Sequence, residues 1–195
     1  MILSAWISAE EGEMDIHEWS GYALIVLVVF RIVWGFIGST NARFSAFLRG
    51  PKAVIAYLKE QPHTEGHNPA GGWAIIAMLS LILIQAISGL FNSDDVLLFG
   101  PLYHLVDSKV ASLMHETHEV TFNLLLLMIA LHITAIIIYR LVRQQNLVKP
   151  MLTGGRSTDQ SLYQAPVWLA IVLIAIVAGA LYVGLSLVPE PTYFY

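Results

Sequence analysis

The sequence predicts an all-α integral membrane protein, a helical bundle with four full transmembrane helices and a short N-terminal remnant of a fifth. Composition is the first observation, because 56% of the 195 residues are hydrophobic and only 12% are charged, with a mean hydropathy of +0.67. An ordinary soluble domain of this length is much less apolar. The second observation is four apolar runs, each long enough to cross a hydrocarbon core of ~30 Å as a helix. They occupy about residues 21–37, 72–91, 120–142 and 167–188.

The chain opens with MILSAWISAEEGEMD, in which seven mostly apolar residues precede an acidic stretch. A secretory signal needs a basic start and a longer apolar region. The segment therefore predicts the end of a helix whose beginning is absent.

The first full span carries two polar side chains on nearly the same face. His17 lies at its outer end, and Arg31 lies fourteen residues further on, inside the apolar run. An arginine at that depth needs an anionic partner or a path to water. A haem propionate or a quinone head group would serve as the partner. Alternatively, the side chain extends to the cytoplasmic interface, about two turns away.

The connection after the first span contains RGPKAVIAYLKEQ, which has the pattern of an amphipathic helix. Pro51 suits its first turn, and Val54, Ile55 and Leu58 share a face, so we expect it to lie on the membrane surface. The following HNPAGGW predicts a turn and the start of the next helix. His67 in this turn either contacts a quinone or a propionate, or it caps the helix or faces solvent.

The second span has no titratable residue, and we interpret Ser80, Gln85 and Ser88 as positions for interhelical hydrogen bonds. Residues 92–119 predict a long acidic loop, with the third span starting within HETHEV. The last span has no candidate ligand, but its small residues favour the close approach of another helix. These small residues are Ala175, Ala178, Gly179 and Gly184.

Basic residues predict the orientation of the chain. Eight of the ten Lys and Arg residues fall in the connections over 39–71 and 140–165, which predicts that both connections are cytoplasmic. The N-terminal stretch and the 92–119 connection are acidic and are expected to face outward. The eight basic residues are Arg43, Arg49, Lys52, Lys59, Arg140, Arg143, Lys149 and Arg156.

Three histidines in the spans predict haem ligation. His118 and His132 are fourteen residues apart on the third span, which is a rotation of only about −40° and a rise of ~21 Å. His17 has the same predicted depth as His118, so these two can bind one haem from opposite sides. The chain has no cysteine, which excludes covalently attached haem, disulfides and thiolate-ligated iron–sulfur clusters. The alternative is that the histidines only form hydrogen bonds between helices.

Several segments together resemble the bacterial cytochrome b561 family, which includes the cytochrome b subunits of nickel–iron hydrogenases. They are HEWSGYALIVLVVFRIVWGFIGS, RGPKAVIAYL, GHNPAGGW, FNSDD, the third span with its HE and a later His, and NLVKPMLTGGR, and they cover about residues 5–156. The resemblance implies a di-haem membrane domain over 1–156, with an additional transmembrane helix and a short tail over 157–195. It also implies a multi-pass protein of the bacterial inner membrane that contacts lipid.

The resemblance further implies cofactors and partners. One or two non-covalent b haems would carry electrons between the quinone pool and a periplasmic cytochrome or a hydrogenase-type subunit, and no nucleic acid is expected. By position, His17 and His118 would bind the outer haem and His132 one face of the inner haem. Arg31 and His67 match polar positions near the inner haem and the quinone-side surface.

One departure from the family pattern matters. The family begins with a further helix that carries a His-Trp pair, and that histidine is the partner of the position matched by His132. No histidine precedes His17 here, so we expect one complete haem site and half of another, as in a truncated gene model. Two other functions stay open. One is an oxidoreductase that reacts with superoxide or quinone, and the other is a membrane anchor without redox chemistry. Whether the chain acts alone or as an oxidoreductase subunit is also open.

Overall fold

The computed structural model describes residues 1–60, 69–93, 99–142, 144 and 163–189, and His67 lies outside these ranges. The described chain is helical, with no strand beyond an isolated bridge between Ser93 and Phe99. This confirms the predicted all-α class. The helices are α1 (Ile2–Glu10), α2 (Met14–Ile37), α3 (Phe44–Phe47), α4 (Pro51–Glu60), α5 (Pro69–Leu90), α6 (Ser108–Leu141) and α7 (Val167–Ser186).

Four of these helices, α2, α5, α6 and α7, are long and apolar enough to cross a membrane, as the sequence predicted. The start of α6 differs from the prediction, since the helix begins at Ser108 and not within HETHEV. Asp107 explains the early start, because its carboxylate accepts a hydrogen bond of 2.9 Å from the backbone N–H of Val110. This is an N-cap, and it satisfies an amide that has no partner within the helix.

The predicted amphipathic helix is present as α4, with Pro51 at its first position. The residues expected to share its apolar face are not equally buried. Tyr57 is buried and Val54 is half-buried, whereas Ile55 is 54% exposed on the other side of the helix. The sequence pattern counted only aliphatic residues, and the phenol ring of Tyr57 has taken the inward position.

The described residues form two compact units. Unit 1 comprises Met1–Val33, Leu79–Asn123 and Pro166–Tyr195, and unit 2 comprises Trp34–Met78 and Leu124–Ala165, in each case for the residues described. The helices α2, α5 and α6 each contribute to both units. We describe each unit separately below.

In unit 1, α1 and α2 form a helical hairpin. Gly12 ends α1 with a backbone φ of +75°, a left-handed conformation that glycine adopts without a side-chain clash. The N–H of Gly12 donates to the carbonyl of Ala9 at 3.2 Å, and the N–H of Glu13 donates to the carbonyl of Ser8 at 2.8 Å. These two bonds form a Schellman motif, which reverses the chain direction. The hydroxyls of Ser4 and Ser20 then join the two helices at 3.1 Å.

In unit 2, two glycines allow the short helix α3 to pack closely against its neighbours. A Cβ atom at Gly35 would clash with the Phe44 ring, and one at Gly72 would lie 2.9 Å from the carbonyl oxygen of Phe47. Both phenylalanines are buried. The helix α3 is therefore held against the end of α2 and the start of α5.

Candidate functional site

Two of the predicted site histidines are neighbours in unit 1. His17 lies in the first turn of α2, and His118 lies on α6. Their ring centroids are 6.2 Å apart, and the ring planes make an angle of 66°. Both side chains are half-buried. The structure thus brings together the two residues that the sequence analysis paired by depth alone.

Helix α1 orients the His17 ring. Its Nδ1 atom lies 2.8 Å from the carbonyl oxygen of Ala5. A carbonyl oxygen can only accept a hydrogen bond, so the proton of a neutral His17 lies on Nδ1 and the lone pair on Nε2. The hairpin turn at Gly12 is what places Ala5 beside His17, because it returns α2 along α1.

Helix α5 orients the His118 ring in the same way. The Nδ1 atom of His118 lies 2.9 Å from the carbonyl oxygen of Gln85, so Nδ1–H donates to that carbonyl. The hydroxyl of Ser88, which is buried, lies 3.3 Å from the same Nδ1 and donates to the Gln85 carbonyl at 3.0 Å. Thr121 on α6 also donates to the side-chain oxygen of Gln85. His118 therefore presents its Nε2 lone pair as well.

The spacing of the His17 and His118 rings is compatible with a haem that these two residues would hold. An imidazole nitrogen binds a first-row metal at about 2.0–2.1 Å, and the ring centroid lies roughly 1.1 Å beyond it, so two axial rings are about 6.3 Å apart between centroids. The observed separation of 6.2 Å agrees with this value. A hydrogen bond from Nδ1 to a carbonyl is also the usual support of a metal-binding histidine, because it fixes the ring and the tautomer.

Gly89 lets the backbone of α5 approach the His118 ring. A Cβ atom at this position would lie 3.0 Å from Cε1 of His118 and 3.3 Å from its Nδ1. Both distances are shorter than an ordinary van der Waals contact of about 3.5 Å. A residue with a side chain at position 89 would therefore displace the ring.

The remaining histidine at this end of α6, His115, has a different environment. Its Nδ1 donates to the side-chain oxygen of Asn92 at 2.9 Å, and that oxygen also accepts the backbone N–H of Ser93 at 2.9 Å. Asn92 belongs to the turn that ends α5, since its carbonyl accepts the N–H of Gly100 at 2.8 Å. His115 is thus engaged with the connecting segment, while His118 is engaged with α5.

The other candidates are not part of this cluster. Arg31 is half-buried on α2 in unit 1, and His132 is half-buried on α6 in unit 2, where it is the one histidine among the described residues. His67 lies outside the described residues. In the part of the chain that the structure describes, no group of three or more His, Cys, Asp or Glu side chains could hold a metal ion. A haem iron needs only two axial side chains, because the porphyrin supplies its other ligands.

Sequence reasoning missed the groups that support the two histidines. The Ala5 and Gln85 carbonyls are backbone atoms, and no residue type marks them. Gly89 had a detectable signal, because it is a glycine inside an apolar helix facing a predicted ligand, which is a common sign of close approach. Gln85 and Ser88 were predicted to form interhelical hydrogen bonds, which the structure confirms, but the sequence did not indicate that their partner is His118.

Comparisons with known proteins agree with this picture. The family model described as prokaryotic cytochrome b561 matches residues 1–154. Searches of curated proteins and of solved structures gave no match. The family match covers most of the chain, and the four apolar helices are those of a multi-pass membrane protein. The chain therefore belongs to the prokaryotic cytochrome b561 family and is a bacterial inner-membrane b-type cytochrome of electron transfer.

Proposed function

We propose that His17 and His118 are the axial ligands of one haem b, and that the protein carries electrons between the quinone pool and a periplasmic redox partner. The observation that carries the proposal is the geometry of this pair. The two rings are 6.2 Å apart, and each Nδ1 is committed to a backbone carbonyl. A haem held there would supply one-electron chemistry at an iron whose axial positions are both taken by imidazole.

The surroundings of the pair suit such a carrier. Ala86, Ser88 and Thr121 are buried, and the hydroxyls of Ser88 and Thr121 are hydrogen-bonded within unit 1. The buried polar groups beside His118 thus have partners within the protein and do not need water. A dry, rigid environment keeps the reorganisation of the site small during electron transfer.

A second, inner haem is part of the proposal, with His132 as the ligand of one face. His132 is on the same uninterrupted helix α6 as His118 and is half-buried. Arg31 and His67 are proposed to lie near this haem and the quinone-side surface. The di-haem domain is proposed to span residues 1–156, and the family match, which ends at residue 154, supports that boundary.

A group of exposed carboxylates near His17 supports the proposal that the periplasmic partner is positively charged. Five carboxylates at the α1–α2 turn and the start of α2 are exposed, close in sequence to His17. Opposite charge guides the encounter of redox proteins and raises their association rate at low ionic strength. The five residues are Glu10, Glu11, Glu13, Asp15 and Glu18.

Spectroscopy of histidine variants tests the axial ligands. His17→Ala or His118→Ala should abolish or strongly perturb the low-spin reduced-minus-oxidised spectrum of the outer haem, because one axial position loses its ligand. His104→Ala is the matched control, since His104 is an exposed histidine in the 103–105 turn. If both site variants kept the wild-type spectrum, the assignment would be wrong, and His115 would be the next candidate.

Anaerobic addition of a quinol to the purified, oxidised protein tests the electron donor. We expect the reduced haem spectrum to appear without any other protein present. A protein that is reduced by dithionite but not by any of several quinols would contradict the quinone part of the proposal and leave the haem ligands untouched.

A further inference from the structure

The helix α4 lies where the membrane-spanning helices of unit 2 end. The hydroxyl of Tyr57 on α4 lies 2.5 Å from that of Tyr139 in the last turn of α6. Just before α4, the carbonyl oxygen of Arg49 accepts a hydrogen bond of 2.9 Å from the indole N–H of Trp73, near the start of α5. Tryptophan and tyrosine at helix ends mark the membrane interface. These contacts put α4 at the level of the lipid head groups.

The two sides of α4 have different chemistry. Ala53, Val54 and Tyr57 pack inward and are half-buried or buried. The opposite side is exposed and carries Lys52 and Lys59, which are seven residues apart and thus on the same face, ~10 Å from each other. Ile55 and Ala56 lie between them, and Ile55 is 54% exposed. A helix with an apolar strip between two cations fits a bilayer interface.

The described charged side chains of unit 2 are all basic, and the one acidic residue of α4, Glu60, has a side chain outside that described set. Arg49 donates hydrogen bonds to the carbonyls of Ser45 and Ala46 at 3.3 and 3.1 Å, so its guanidinium caps the C-terminal end of α3. Lys52 and Lys59 are both exposed, so their side chains are accessible from outside the protein.

We propose that the exposed face of α4 binds the head groups of anionic phospholipids. Lys52 and Lys59 contact the lipid phosphates, and Ile55 enters the boundary between head groups and acyl chains. Trp73 at the start of α5 adds a further exposed apolar side chain close to the start of α4, with 47% of its surface exposed. Cationic side chains near a membrane surface favour anionic over zwitterionic lipid, and apolar side chains between them favour a lipid over a free anion.

Lipid titration of the delipidated protein in an uncharged detergent tests the proposal. Native mass spectrometry would count bound phosphatidylglycerol and phosphatidylcholine. We expect the wild type to prefer phosphatidylglycerol, and each lysine to contribute roughly fivefold to that preference. Lys52→Gln with Lys59→Gln should then lower the preference about 25-fold. The double arginine variant at the same two positions should keep it.

Lys109→Gln is the charge-matched control, because Lys109 is exposed in the first turn of α6 and belongs to unit 1. It should leave the lipid preference unchanged. The proposal is overturned if the double glutamine variant keeps its preference, if Lys109→Gln loses it equally, or if glycerol phosphate displaces the lipid at equal concentration. The last result would identify a site for a free anion. An unchanged haem spectrum in every variant would show that the fold is intact.

Discussion

Gly89→Ala is expected to loosen the haem without removing any ligand. The added Cβ atom would lie 3.0 Å from Cε1 of His118, which is about 0.5 Å inside an ordinary carbon–carbon contact. The ring can move away only by lengthening its bond of 2.9 Å to the Gln85 carbonyl or by tilting towards His17. A shift of that size would take the hydrogen bond past about 3.2 Å, where it weakens.

The size of the effect follows from two opposing terms. Overpacking a well-packed site costs about 1–3 kcal/mol, whereas replacing glycine by alanine inside a helix stabilises the helix by about 1 kcal/mol. With overpacking at the middle of its range, about 2 kcal/mol, the net cost at the His118 ring is about 1 kcal/mol, which corresponds to a haem affinity about fivefold lower. The low-spin spectrum should remain but shift, since both imidazoles are still present.

The assay is the rate of haem transfer from the purified protein to excess apomyoglobin, together with the haem-to-protein ratio. Gly21→Ala is the matched control, because a Cβ atom at Gly21 would meet nothing within 4 Å and the residue also lies inside a membrane-spanning helix. The reasoning is refuted if Gly89→Ala retains haem as well as the wild type does. It is also refuted if Gly21→Ala loses haem at the same increased rate.

Three further results are expected. Ser88→Ala removes the hydroxyl that competes with His118 for the Gln85 carbonyl, so the hydrogen bond from His118 to that carbonyl should become stronger. The midpoint potential of the haem should then fall by on the order of 20 mV in a spectroelectrochemical titration. A rise in the potential would contradict this reasoning. Gly12→Ala places a side chain at a φ of +75°, which should lower the free energy of unfolding by about 1 kcal/mol in a denaturant titration followed by circular dichroism. Pyridine haemochrome analysis of the 195-residue chain should give close to one haem per chain, or a second haem with high-spin character, because His132 has no described histidine beside it in unit 2. Two low-spin haems would mean that His67 or another subunit completes the inner site.

The sequence predicted those features that depend on long-range averages of hydropathy. Four spans are visible because a bilayer requires about 20 apolar residues per helix, whatever the rest of the fold does. The start of α6 was missed because SKVASLMHETHE is polar, and hydropathy marks where a helix enters lipid and not where it begins. Asp107 was the available signal, since an aspartate before a helical segment is a common cap.

The pairing of His17 with His118 could be predicted because it depends on depth along two helices. The sequence could not reveal which atoms orient the rings. Those atoms are the backbone carbonyls of Ala5 and Gln85, and their positions depend on how α1 and α5 pack. Packing of that kind is fixed by small contacts such as the Ser4–Ser20 bond and the absence of a side chain at Gly89.

Both proposed ligands are thus held by helices other than their own. His17 belongs to α2 and is oriented by α1, and His118 belongs to α6 and is oriented by α5. A residue that only holds two helices together should therefore affect the haem. Ser4 and Ser20 are such residues, because their hydroxyl pair lies next to Ala5 along α1 and one turn beyond His17 along α2. If the position of α1 is what supports His17, loss of the Ser4–Ser20 bond should shift the Ala5 carbonyl and so weaken the binding of the haem. The effect would then arise at a site remote from the ligand atoms.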